Sequence, residues 1–142
     1  MIKRLLLIVF LVFLVSFSLN AQDVKQPAVA LVPYPVTLVE GEGAFVFTEK
    51  TVVSLEDKEM EAIARDFIGL FTKAAGFTPK LKVNSKKGDV RLMKDDSLQE
   101  EEYALEVTSE KILMRAAGVK GAFYALQTLR QLLPSAVESN EC

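Results

Sequence analysis

The sequence predicts an α+β domain: a mostly antiparallel sheet with two helices packed on one face, an α/β sandwich. Three observations predict it. Short runs rich in Val, Ile, Leu and Phe outnumber the helical stretches. Two segments repeat their apolar residues at helical spacing. Two pairs of short apolar runs flank the turn-like spacers Asn84 to Asp89 and Thr108 to Lys111, the layout of hairpins. With 142 residues, the chain has room for one ordinary domain.

The elements follow in order. Lys3-Arg4 is a basic start, Leu5 to Val15 an unbroken apolar run, and Ser16 to Ala21 small and more polar. That order is the layout of a secretory signal peptide, residues 1–21, cleaved after Ala21. The apolar run is shorter than the ~20 residues a spanning helix needs. The chain is therefore expected to be exported, to the periplasm or the extracellular space, with no membrane attachment after cleavage. Gln22 to Ala28 reads as a short lead into a domain that ends near Pro134. Val29 to Val39 is extended around Pro33-Tyr34-Pro35, because proline excludes helix there. Gly41-Glu42-Gly43 makes a turn, and Phe45 and Phe47 alternate as in a half-buried strand. Thr51 to Leu55 is β-branched and reads as the next strand.

Asp57 is placed to cap the first helix, with Glu59 and Glu61 in the first turn, where the helix dipole favours negative charge. Met60, Ile63, Ala64, Phe67, Ile68, Leu70, Phe71, Ala74 and Ala75 fall on one side, an apolar face of roughly 160°. Gly76 fits the position after the helix. Leu81 to Val83 and Val90 to Met93 read as short strands around the Asn84 to Asp89 turn. Lys94 to Glu102 reads as a charged loop. Tyr103 to Val107 and Ile112 to Ala116 form a hairpin. After Gly118 a second helix runs from about Gly121 to Leu133, stopped by Pro134.

Composition excludes most chemistry. There is no histidine, and the single cysteine is the terminal Cys142. A Ser-His-Asp triad, a Cys-His pair and a histidine metal site are therefore ruled out, and so is a disulfide within the chain. Net charge is −2, so no basic excess draws the chain to nucleic acid or an anionic membrane. The glycines lack the spacing of a phosphate loop. Asp95-Asp96 and Glu100-Glu101-Glu102 lie in a polar loop without an apolar setting to raise a pKa, and read as solvated. Lys80, Lys82, Lys86 and Lys87 read as charges that protect strand edges. No catalytic, cofactor-binding or metal-binding residue emerges.

The second helix is unusual. Ala122, Ala125, Leu126, Leu129, Leu132 and Leu133 form the stripe expected to face the sheet. Phe123 and Tyr124 project elsewhere, among Gln127, Thr128, Arg130 and Gln131. Either Phe123 covers the margin of the core with Tyr124 partly exposed, or the helix touches something on its second side.

The stretch from Gly118 to Pro134, with its Phe123-Tyr124 pair and Leu126-Gln127-Thr128-Leu129, closely resembles the helix that ends the N-terminal non-catalytic domain of family 20 glycoside hydrolases, the β-N-acetylhexosaminidases. The hairpin, Glu102 to Val107 with Ile112 to Ala116, and the opening Leu31 to Pro35 with Gly43 to Phe45, resemble the same domain. The likeness spans about Val29 to Pro134, nearly all of the chain after the leader. One departure is Glu101-Glu102 before Tyr103, where many relatives have a glycine.

The resemblance implies that a catalytic (β/α)8 barrel follows in the same polypeptide, with 135–142 the start of a linker to it. Catalytic residues lie on that barrel, so none is carried over here. The whole enzyme would remove terminal N-acetylglucosamine or N-acetylgalactosamine from glycans, with the substrate's own acetamide as nucleophile. Neither cofactor nor metal is implied. The domain would support the barrel, and Phe123, Tyr124, Gln127, Arg130 and Gln131 would be its interdomain contacts; glycan would be met only through the barrel. Two alternatives stand beside this reading: the N-terminal domain of a family 84 N-acetylglucosaminidase, and a stand-alone secreted module that binds carbohydrate or protein.

Overall fold

The computed structural model describes residues 29–134. The leader at 1–21 and the linker at 135–142 lie outside the described residues. Five strands form one sheet: β1 (Val52–Leu55), β2 (Lys80–Val83), β3 (Val90–Lys94), β4 (Tyr103–Val107) and β5 (Ile112–Ala116). Two helices accompany it, α1 (Glu61–Ala75), entered through a 3-10 turn at Lys58–Met60, and α2 (Val119–Gln131).

The sheet is mixed rather than mostly antiparallel, which corrects the sequence expectation. Its strand order is β2-β1-β3-β5-β4. β1 runs parallel to both β2 and β3, and β3 runs parallel to β5. Only β4 and β5 pair antiparallel, as the hairpin spacing predicts. The error lay at Asn84 to Asp89, which is not a hairpin turn. β2 and β3 flank β1, so the six residues between them must cross it. Asn84 begins the reversal with φ 54°. Ser85 N then donates to Leu55 O, and Asp89 N to Val52 O, each at 2.9 Å. A four-residue strand is only about 13 Å long, and six extended residues reach up to ~20 Å. So short a strand lets a six-residue segment do what usually takes a crossover helix.

Register explains the core. Leu81, Val53, Val90, Ile112 and Val107 form one row across the sheet, and Val83, Leu55, Leu92, Met114 and Leu105 a second. These rows alternate with residues of the opposite face. Val53, Leu55, Val90, Leu92, Ile112 and Met114 are all buried, in one cluster with Ala64, Phe67, Ile68 and Phe71 of α1 and Ala122, Ala125, Leu126 and Leu129 of α2. Both helices therefore cover the same face, as expected. Each large side chain buried there contributes roughly 1.5–3 kcal/mol.

The helix boundaries follow local chemistry. Asp57 Oδ1 accepts from Glu59 N at 2.9 Å, so it caps the 3-10 turn rather than α1 directly. Gly76, with φ 71°, ends α1 in the left-handed conformation that glycine tolerates best. α2 begins two residues earlier than expected and ends at Gln131, leaving Leu132 beyond the last turn and 36% exposed instead of facing the sheet. No regular strand forms at Phe45 to Phe47. The rings nevertheless turn inward: Phe47 lies 4.5 Å from Phe71 and 4.9 Å from Phe45, centroid to centroid.

Candidate functional site

α2 is fixed at both ends. At its start, Gly121 N donates to Glu100 O at 3.1 Å, and Lys120 Nζ lies 3.0 Å from Glu100 Oε1, which raises the lysine's pKa. A Cβ at Gly121 would run into the Glu102 carbonyl oxygen, so only glycine allows this approach. Midway, Tyr103 Oη and Thr128 Oγ1 are 2.6 Å apart, tying the helix to β4. At its end, Gln131 Oε1 accepts from Val32 N at 2.9 Å and Gln131 Nε2 donates to Val32 O at 3.0 Å.

That frame decides where the five sequence-predicted contact residues sit. Phe123 and Tyr124 are 43% and 44% exposed, with rings edge to face at 5.7 Å. Phe123, Gln127 and Arg130 line a groove of about 100 Å³ between the helices. Tyr124 stands beside it, against Phe123. Gln131 is not brought there; its carboxamide is engaged on the Val32 backbone.

α1 forms the opposite wall with Ile63, Asp66, Phe67 and Leu70, and Leu126 of α2 adds to the floor. The sequence reading assigned Ile63 and Leu70 to the core, so it missed them as part of a surface. The available signal was the width of the apolar face, roughly 160°, broader than one sheet contact needs. The result is an apolar strip across both helices, with a carboxylate on one side and a guanidinium on the other. Such a strip supports contact between protein surfaces and holds no reactive group.

The acidic loop is equally unsuited to acid catalysis. Asp95 Oδ1 accepts from Ser97 Oγ at 2.5 Å and from Ser97 N at 3.1 Å. Those bonds lower the carboxyl's pKa, the wrong direction for a proton donor near neutrality. Among the described residues no group of three or more acidic or cysteine side chains is placed to hold a metal, and no helix is long and apolar enough to cross a membrane.

Comparison with known proteins places these features. The family profile described as glycosyl hydrolase family 20, domain 2, matches residues 28–140. A β-hexosaminidase of Porphyromonas gingivalis is 28% identical over 138 residues, covering 92% of this chain and 18% of that protein. The Streptomyces coelicolor A3(2) family 20 β-N-acetylhexosaminidase superposes with a TM-score of 0.63 at 30% identity, over 72% of this chain and 21% of that one. The Streptomyces plicatus N-acetyl-β-hexosaminidase, solved with Thio-NAglucal, gives 0.63 at 26% identity, over 70% and 20%. The chain thus spans about a fifth of the length of these relatives, and nothing among them favours family 84 or a stand-alone binding module. With the sandwich, the α2 helix and the family profile all in agreement, the chain belongs to glycosyl hydrolase family 20, as its non-catalytic domain 2.

Proposed function

We propose that this domain supports the catalytic barrel of an exported β-N-acetylhexosaminidase, an enzyme that removes terminal N-acetylglucosamine or N-acetylgalactosamine from glycans. The carrying observation is the half-exposed Phe123–Tyr124 pair beside the groove between α1 and α2, in a chain that covers only 18% of its P. gingivalis relative. Covering two aromatic rings and an apolar groove removes surface that would otherwise stay in water, a gain of about 25 cal/mol per Å². The partner assigned to this surface is the barrel of the same polypeptide. Export rests on the basic, apolar and small-residue zones of residues 1–21.

The test is an immunoblot of the source against this domain, paired with hydrolysis of a chromogenic N-acetyl-β-glucosaminide and N-acetyl-β-galactosaminide by the polypeptide it detects. A band several times larger than the 15.7 kDa of the chain, with activity, is the expected result. A band at the size of the chain alone would overturn the reading, as would a large polypeptide inert toward both N-acetylhexosaminides.

A further inference from the structure

The sheet has a second face, turned away from both helices. Strand alternation puts Lys80, Lys82, Ser54, Arg91, Arg115 and Glu106 there, because their neighbours in each strand point into the helix-covered core. The crossover joining β2 to β3 lies on the same face. A Cβ at Gly88 would stand 2.7 Å from Ser54 Oγ and 2.8 Å from Val52 O, so the chain rests directly on β1. It carries the exposed Lys86 and Lys87 across the gap between Lys82 and Arg91.

We propose that the cations of this face and of the crossover that lies on it bind an anionic polysaccharide. Register sets Lys82 and Arg91 on either side of Ser54, two strand spacings or about 10 Å apart. Lys80 follows Lys82 at about 7 Å along β2. The four lysines make no ion pair among the described residues, whereas Lys94, Lys120 and Arg65 do. The acids on or beside this face are few. Glu56 sits 3.9 Å from Arg91, Glu106 lies on the far strand β4, the Arg115 charge helps hold the Asp95 carboxyl low, and Asp89 Oδ2 accepts from Val52 N at 2.8 Å. Positive charge is therefore concentrated on one face of a chain whose net charge is −2.

The face also discriminates between polyanions. None of the side chains that alternation places on it is aromatic, so nucleic-acid bases have no ring to stack on. Val52, Met93 and Leu113 are half-buried, so these strands offer a bilayer no fully exposed apolar anchor. Exposed cations spaced by strand register and on the crossover above it match a flexible chain bearing repeated carboxylates or sulfates. The choice of a polysaccharide rests on the glycan-hydrolase reading above. The assay scores binding without hydrolysis, so either reading fails separately.

The experiment is salt elution of the purified chain from immobilised heparin, with soluble heparin, neutral chitin oligosaccharides and phosphatidylglycerol vesicles as competitors. Retention at low salt is expected, displaced by heparin and unaffected by neutral oligosaccharides. The variant Lys82→Glu/Lys86→Glu/Lys87→Glu should lose retention, since polyanion binding weakens steeply with each contact removed. Lys73→Glu, on α1, should elute like the parent chain. Should the triple variant melt early, Lys86→Gln/Lys87→Gln on the exposed crossover makes the same measurement with milder changes. Flow-through of the parent chain, unchanged elution of the folded variants, or competition by vesicles but not by heparin would each overturn the proposal.

Discussion

At Gly121 a single hydrogen atom in place of a methyl group lets α2 sit against the backbone of the loop before β4. The obstacle is the Glu102 carbonyl, with the Ala116 Cβ 3.2 Å away, and neither is the free end of a flexible side chain. Gly121→Ala is therefore expected to cost about 1–3 kcal/mol, the range of an overpacked contact, measured by thermal denaturation. Gly118 is the control: its φ of −164° suits any residue and nothing lies within 4 Å of a Cβ there, so Gly118→Ala should stay within about 0.5 kcal/mol. The sequence shows both glycines three residues apart and cannot rank them. The difference arises only when β4's approach folds back on the helix. Among the described residues, Ser54 Oγ and Arg91 Nε are buried without a hydrogen-bond partner, and both belong to the row beneath the crossover.

Among the elements, α1 is held by rings. Phe67 and Phe71 contact one another at 5.5 Å, Phe47 lies 6.2 Å from Phe67, and Phe77 lies 5.9 Å from Phe71. Phe71 touches three rings, one on its own helix and two from the segments before and after it, and is 3% exposed, so Phe71→Ala should cost about 3–5 kcal/mol, read as a shift in urea midpoint. This helix and the β4–β5 hairpin were legible in the sequence because their signals are local: a 3.6-residue period with Asp57 and Gly76 at its ends, and strict alternation around Thr108 to Lys111. The β2–β3 connection was not. Asn84 to Asp89 has the residues of a turn and the length of one, and nothing local says that β1 will lie between the strands it joins. Phe45 and Phe47 show the same limit in another form. Alternation reported correctly that both rings turn inward, while the backbone between them found no strand to pair with. For the candidate surface, Phe123 and Tyr124 stood out because they break an apolar stripe. The α1 wall was hidden because Ile63 and Leu70 continue one.

For the molecule as a whole, the two layers meet different surroundings. The helix layer presents an apolar groove with Tyr124 at its side, and the sheet presents cations. If the groove is covered by the catalytic barrel, Tyr124→Asp places a charge in that contact. The full-length enzyme should then lose thermal stability, while this domain by itself, where Tyr124 is 44% exposed, should shift by no more than about 0.5 kcal/mol. Equal losses in both, compared by calorimetry, would count against a covered surface. The clamp between Gln131 and Val32 has a further effect. It brings the first and last described stretches to one pole of the domain, so the fold is almost a closed ring, opened at a single point. Units whose ends meet in this way can be moved between longer polypeptides, or rewired to begin at another loop, without prising their neighbours apart.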